Sequence, residues 1–388
     1  MHVILMPLVW SLSMAGVAAP ELQTPQATVS PTVAVEIASP TTAERAHSRW
    51  IGSLAFSADG KMLATGAADS SNSIKLWSGD DGALLARLEG LKERMFALNP
   101  ESARAVDALG HAGMIASLAF SPDGKSLVSA SFDNSIKTWS VTDRRVVSTV
   151  HGATAIPSAD GPTEVKNPVV WAARLTPDGK QLVYADRTGS IHILDATGLA
   201  EIGRIETYLP VAYGSQSGLV MSANGKRVTS FDYDNAEVWD LASRASLRSV
   251  KAPSGGITSV ALSPDGATLA TGTIDRVHLW DVASGAMSRE LKTSGIRFQV
   301  YAIEFTTDGR RLIAASNPAG AAGVEVWSVA DGNRLALLRG PEFSWVRQIA
   351  VSPDGKSLAT GSESGHVCVW TLNSLAFRMC LRDAGQLK

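Results

Sequence analysis

The chain has 388 residues, 45% of them hydrophobic, which is enough to bury a large core, and its 35 Lys and Arg stand against 37 Asp and Glu for a net charge of −2. That balance supplies no global basic field, so nucleic acid is excluded as an expected partner. Two cysteines make neither a disulfide framework nor a four-ligand zinc site.

In chain order, residues 3–19 form an apolar stretch ending in the small residues Ala15, Gly16, Val17, Ala18 and Ala19. It reads as the hydrophobic region and cleavage site of a signal peptide, which makes the mature chain an exported protein, periplasmic or extracellular, from a bacterium, with no stable membrane insertion after cleavage. The basic region is poor, with His2 but no Lys or Arg, and Pro7 breaks the run. An uncleaved anchor or a misplaced start codon are the alternatives, and without a signal the protein is cytoplasmic. Residues 20–45 are rich in Pro, Thr, Ala and Ser and read as a flexible linker, although residues 33–37 have the composition of an extra strand.

From residue 46 onward one unit recurs. Its clearest copy is Gly110 to Trp139, in which two short apolar runs flank the turn Ser121-Pro122-Asp123-Gly124, and a third, alternating run ends on Trp139. Equivalent turns end at Gly60, Gly179, Gly225, Gly266, Gly309 and Gly355. Each of the seven is followed after 14 to 18 residues by Trp77, Trp139, Leu194, Trp239, Trp280, Trp327 or Trp370. A fourth run follows each of these. Seven such repeats predict an all-β, seven-bladed β-propeller of four-stranded antiparallel blades over 46–388, because one small sheet cannot bury both of its faces alone. The C-terminus supplies its own last strand, so 33–37 is not required to close the ring.

The runs IKLW, AEVWD, VHLWD and VEVW after these turns resemble the WD-repeat family of propellers, over residues from about 47 to 382. That resemblance implies a buried hydrogen-bonded chain of His, hydroxyl, Asp and Trp, which the second repeat carries as His111, Ser131, Asp133 and Trp139. The first repeat has His47, Asp69 and Trp77 but Ala67 in place of the hydroxyl, and Thr188, Pro318 and Ser364 depart from the Asp position in others. It further implies a non-enzymatic module that binds or scaffolds protein partners. The alternative is a propeller enzyme of the lactonase or quinone-dependent dehydrogenase type.

The chemistry-bearing residues favour the binding module. The histidines are scattered without a metal-ligating spacing, no phosphate-binding loop or nucleophile elbow survives inspection, and no cofactor is expected. Arg174 and Glu304 occupy a first-strand position that is Ala55, Ala119, Ala261 and Ala350 elsewhere, so they either line a ligand site near the axis or stand partly solvated in the channel. Arginines recur in the fourth strands, among them Arg87, Arg248, Arg289 and Arg378, as a belt for an acidic partner or as protection of exposed edges. In the family the chain resembles, long connections such as 90–110 and 151–168 lie on one face, and the resemblance implies that this is the recognition face. Cys368 and Cys380 fall in neighbouring strands, but a simple turn register sets Cys368 nearer Phe377, so two buried thiols are expected. Trp50 and Trp345 both lie ten residues before their turn glycines, in the first and last repeats, with Phe343 and Arg347 beside Trp345. These four residues are the candidate partner-binding rim, since Trp and Arg dominate interface hot spots; sealing of the ring is the competing role.

Overall fold

The computed structural model describes residues 34–36, 45–68, 73–89, 110–152, 155–156, 163–164, 169–186, 189–207, 219–253, 255–294, 299–316, 323–339 and 345–383. All belong to one compact unit, Thr32–Lys388. The residues read as a signal peptide, with Asp69, Thr188, Pro318 and Phe343 and most of the two long connections, lie outside this set. Every named element among the described residues is a strand, so none of their segments is a helix able to cross a membrane.

The repeated turn sets the geometry of each blade. In all seven copies the Ser or Thr hydroxyl donates to the Asp or Asn side chain two residues on, at 2.6–2.7 Å. The same carboxylate or amide oxygen accepts the N–H two residues later, and the hydroxyl oxygen accepts the first N–H of the next strand. The glycine completes the turn at φ of 68–75°, a left-handed value that residues with a Cβ rarely adopt. At Asp123 the Ser121 hydroxyl and the Lys125 N–H hold the carboxyl below the usual carboxylate range.

These turns pin seven four-stranded antiparallel sheets. Blade 1 is Ile51–Phe56, Met62–Ala67, Ile74–Ser78 and Leu84–Leu88; blade 2 is Ile115–Phe120, Ser126–Ser131, Ser135–Ser140 and Arg145–His151. Blade 3 runs from Val170–Leu175 to Glu201–Ile205, blade 4 from Val220–Met221 to Ser246–Lys251 and blade 5 from Ser259–Leu262 to Met287–Lys292. Blade 6 runs from Ala302–Phe305 to Arg334–Arg339, and blade 7 comprises Val346–Val351, Ser357–Ser362, Val367–Thr371 and Ala376–Cys380. Ala34–Glu36, within the stretch read as a linker, adds a fifth strand parallel to Arg334–Arg339 of blade 6.

The core is divided into seven slabs, one between each pair of adjacent blades. The third-strand Trp always faces the preceding blade: Trp77 packs with Val369 and Leu381 across the blade 7–blade 1 junction, and Trp370 with Ile313 and Leu338 of blade 6. A fully buried large side chain contributes about 1.5–3 kcal/mol, so apolar packing supplies much of the attraction between neighbouring blades.

Two features of the outer strands depart from the expectations. Each outer strand carries a β-bulge beside the residue paired with the third-strand Trp or Leu194. In blade 7 the bulge places Cys368 directly opposite Cys380, with Cα atoms 3.9 Å apart, and the two are joined as a disulfide. The expected pair of buried thiols is therefore corrected: a turn register counted without the bulge puts the second cysteine out of reach. The arginines act neither as a free belt nor only as edge protection. Arg289 donates to Asp331 and Ala330 carbonyls at 2.8 and 2.9 Å, Arg248 to Val282 and Ala283 carbonyls, and Arg378 to the Asp80 carbonyl, each in the turn before the outer strand of the following blade. They are clasps between blades.

Candidate functional site

The buried polar chain of blade 2 is built around a different serine from the one expected. The Trp139 indole N–H donates to Ser129 Oγ at 2.7 Å, and His111 Nε2 lies 2.7 Å from the same oxygen. His111 Nδ1 is 2.9 Å from Asp133, whose carboxylate also accepts Ala112 N–H and the Ser135 hydroxyl. Burial pushes the Asp133 carboxyl up, but the His111 ring and these donors hold it well below the usual range. Ser131 is corrected out of the chain. Trp139 pairs with Leu127, and its ring reaches one same-face step along the strand, to Ser129; Ser131 lies a further step on and accepts Asp133 N–H instead.

The same offset applies elsewhere. In blade 1 Thr65, not the position of Ala67, takes Trp77 at 2.9 Å and His47 at 2.7 Å. Trp239, Trp280 and Trp370 donate to Ser230, Thr271 and Thr360. In blade 6 this position is Ala314, and the buried Trp327 Nε1 has no partner.

At the rim, Trp50 and Trp345 occupy equivalent places. Each precedes a first strand, and the backbone carbonyl of each accepts the N–H of the turn between second and third strands, from Ala68 and Glu363 respectively. Arg347 joins them across the ring closure: its guanidinium lies 5.5 Å from the Trp50 ring, 5.8 Å from Trp345 and 4.5 Å from Tyr301. Tyr301 stacks on Trp345 with centroids 5.9 Å apart, and Arg347 pairs with Glu363 at 3.1 Å. Trp50 is half-buried and Tyr301 buried, whereas Trp345 is 41% exposed. The spacing does not mark Tyr301: ten residues before Gly309 stands Gln299, but the first strand of blade 6 begins at Ala302, which leaves Tyr301 at its mouth.

At the axis a cavity of about 440 Å³ is lined by first strands of all seven blades. One register position supplies a ring around it: Ala55, Ala119, Arg174, Val220, Ala261, Glu304 and Ala350. Arg174 bonds Ser117 Oγ and the Ala173 carbonyl, and Glu304 accepts Val351 N–H at 3.1 Å. Burial pushes the Glu304 carboxyl up to about 8, against the pull of that N–H and of Arg174. Among the described residues no group of three or more His, Cys, Asp or Glu side chains is placed to hold a metal ion.

Fold and repeat chemistry together define a seven-bladed β-propeller of four-stranded blades, each carrying the same turn and, in six of the seven, a third-strand Trp, with Leu194 in blade 3. The family model "WD domain, G-beta repeat" matches residues 39–78, 105–140, 244–281 and 332–371, so the chain carries WD repeats on this seven-bladed propeller. It is 27% identical over 84% of its length to Autophagy-related protein 16 of Arabidopsis thaliana, covering 56% of that protein. It is 31% identical over 39% of its length to Apoptotic protease-activating factor 1 of Homo sapiens, covering 10% of it. Similarity to WD repeat-containing protein 1 of Rattus norvegicus is 34% over 26% of the chain and 14% of that protein. The chain thus spans just over half the length of the first of these relatives and 10% and 14% of the other two.

Proposed function

We propose that this propeller is a non-enzymatic protein-binding or scaffolding module whose partner docks on the rim formed by Trp50, Trp345 and Arg347, with Tyr301 beneath them. The observation that carries the reading is the exposure of Trp345: it is the one exposed Trp among the described residues, held in a fixed orientation by Tyr301 and Arg347. A rigid aromatic loses little entropy on binding, and a neighbouring arginine already desolvated by aromatic rings matches the composition of interface hot spots. Similarity to WD-repeat proteins fits a protein-interaction role. Export is part of the same proposal: a cross-strand disulfide suits an oxidising compartment, and N-terminal sequencing of mature protein is expected to begin near Ala19 or Pro20, whereas recovery of Met1 from cytosol overturns it.

The test is affinity capture from native extract with wild type and Trp345→Ala, partners being identified by mass spectrometry. The variant is expected to lose its partner while its denaturation midpoint moves by about 1 kcal/mol or less, as suits a half-exposed stacked ring. Retention of every partner, or a stability loss of about 3–5 kcal/mol typical of a buried Trp, would assign these residues to ring closure instead.

A further inference from the structure

The axial ring combines five small apolar residues with two ionisable groups of opposite type, a guanidinium and a carboxyl. Arg174 comes from blade 3 and Glu304 from blade 6, three blades apart in a ring of seven, which is as far apart as two blades can be. The alanines at four of the remaining positions leave the space between these two groups open instead of filling it. No ion pair closes across it: the described bonds of Arg174 go to Ser117 and Ala173, and that of Glu304 goes to Val351. Those bonds leave from a single nitrogen, Nη1, and arrive at a single carboxyl oxygen, Oε2.

Arg174 and Glu304 are each half-buried and not in contact with one another, and burial holds the Glu304 carboxyl towards its protonated form. An ammonium seated against it would supply the counter-charge that lets it ionise, and a carboxylate would supply the counter-charge to Arg174. Here each group is oriented from behind by backbone or hydroxyl bonds, so the ordering cost of a complex is largely met before a ligand arrives. Apolar walls with a small number of convergent polar groups are the usual make-up of a small-molecule site, and about 440 Å³ lies within the range of such sites.

We propose that the axial cavity binds a small zwitterion of the amino-acid class, its carboxylate on Arg174 and its ammonium on Glu304, with its apolar portion against the alanine ring. A simple carboxylic acid satisfies Arg174 alone and an amine satisfies Glu304 alone; only a molecule bearing both charges matches both walls. A metal ion would find one carboxylate. Trp50, Trp345 and Arg347 do not line the cavity, although Tyr301 beneath them does, and the ligand titration below reads the axial site without any protein partner present.

The experiment is isothermal titration calorimetry of the full chain with each free proteinogenic amino acid in turn, followed by the N-acetylated and the decarboxylated forms of the amino acid that binds most tightly. Both forms are expected to bind at least about tenfold more weakly than the zwitterion. Glu304→Gln is expected to abolish the preference over the N-acetylated form, and Arg174→Gln the preference over the amine. The proposal is overturned if no amino acid gives saturable binding at millimolar concentration, or if either singly charged form binds as well as the zwitterion. Because the ligand comparison is made on the unaltered protein, the result does not depend on how either variant folds.

Discussion

Ser129 and Ser131 lie on one face of one strand, two residues apart, yet only the first receives the Trp139 indole and lies against His111. Ser129→Ala leaves two buried nitrogens without that oxygen and is expected to cost about 1–3 kcal/mol, whereas Ser131→Ala removes a single longer bond to Asp133 N–H and costs less. Comparing denaturant midpoints of the two variants checks the assignment, and equal losses would contradict it. Glu304 is the residue from which a pH dependence follows. Its folded-state value is raised from 4.5 to about 8, so the folded chain binds a proton that the unfolded chain releases. Between those values stability falls as pH rises, because the folded state must either keep the proton or bury a charge. Glu304→Gln is expected to flatten this decline in thermal melts recorded across pH 4.5 to 8; an unchanged slope would place the titration elsewhere.

At the scale of the strand, the position two residues before the third-strand Trp or Leu194 carries a polar or sulfur-bearing side chain in all seven blades: Lys75, Lys137, His192, Glu237, His278, Glu325 and Cys368. Alternation with period two puts this group on the same face as the third-strand Trp or Leu194, where several of them find a local partner. Lys137 bonds Thr149, Glu325 bonds Arg334 and Ser316, and Cys368 is bonded to Cys380. The two histidines show how much the partner matters. Burial lowers both, but carboxylates of Asp186 and Glu201 bonded to the ring nitrogens raise His192, while His278, 3.5 Å from Glu290 alone, stays lowered. The disulfide ties the outer strand of blade 7 to its neighbour across a short loop. Replacing both cysteines by Ser is expected to cost about 3 kcal/mol, read as a shift in the unfolding midpoint, and thiol titration of the denatured wild type is expected to find none free. Two titratable thiols would refute the bond.

At the scale of the whole ring, closure rests on side chains from opposite ends of the described chain. Ala46 and His47 N–H groups bond the Gly365 carbonyl, Leu381 packs beneath Trp77, and Asp383 is buried against Lys75, at 2.6 Å, and Arg87. Asp383→Ala would leave Lys75 buried beside only the Ala46 carbonyl and is expected to destabilise the propeller by about 3–5 kcal/mol, measured by chemical denaturation. A loss below about 1 kcal/mol would show that the apolar slab alone closes the ring.

The repeated Ser/Thr-x-Asp/Asn-Gly turn, the third-strand aromatic and the count of seven were all legible in the amino-acid order, because each depends on chemistry within a few residues: a hydroxyl two positions from its carboxylate, a glycine at positive φ, a period of two. The equivalence of Trp50 and Trp345 was legible for the same reason, as was the placing of Arg174 and Glu304 near the axis. What only the tertiary structure decided lies across strands and between blades. The bulge in each outer strand shifts register by one residue, which moved the cysteine partner into reach. The choice of Ser129 over Ser131 depends on how far an indole extends from its cross-strand pair. Tyr301 joins the rim, Arg289 reaches the next blade's turn and Asp383 meets Lys75 only once the ring is bent and closed. No local pattern encodes those meetings, because the residues that make them are brought together by the angle at which seven separate sheets pack.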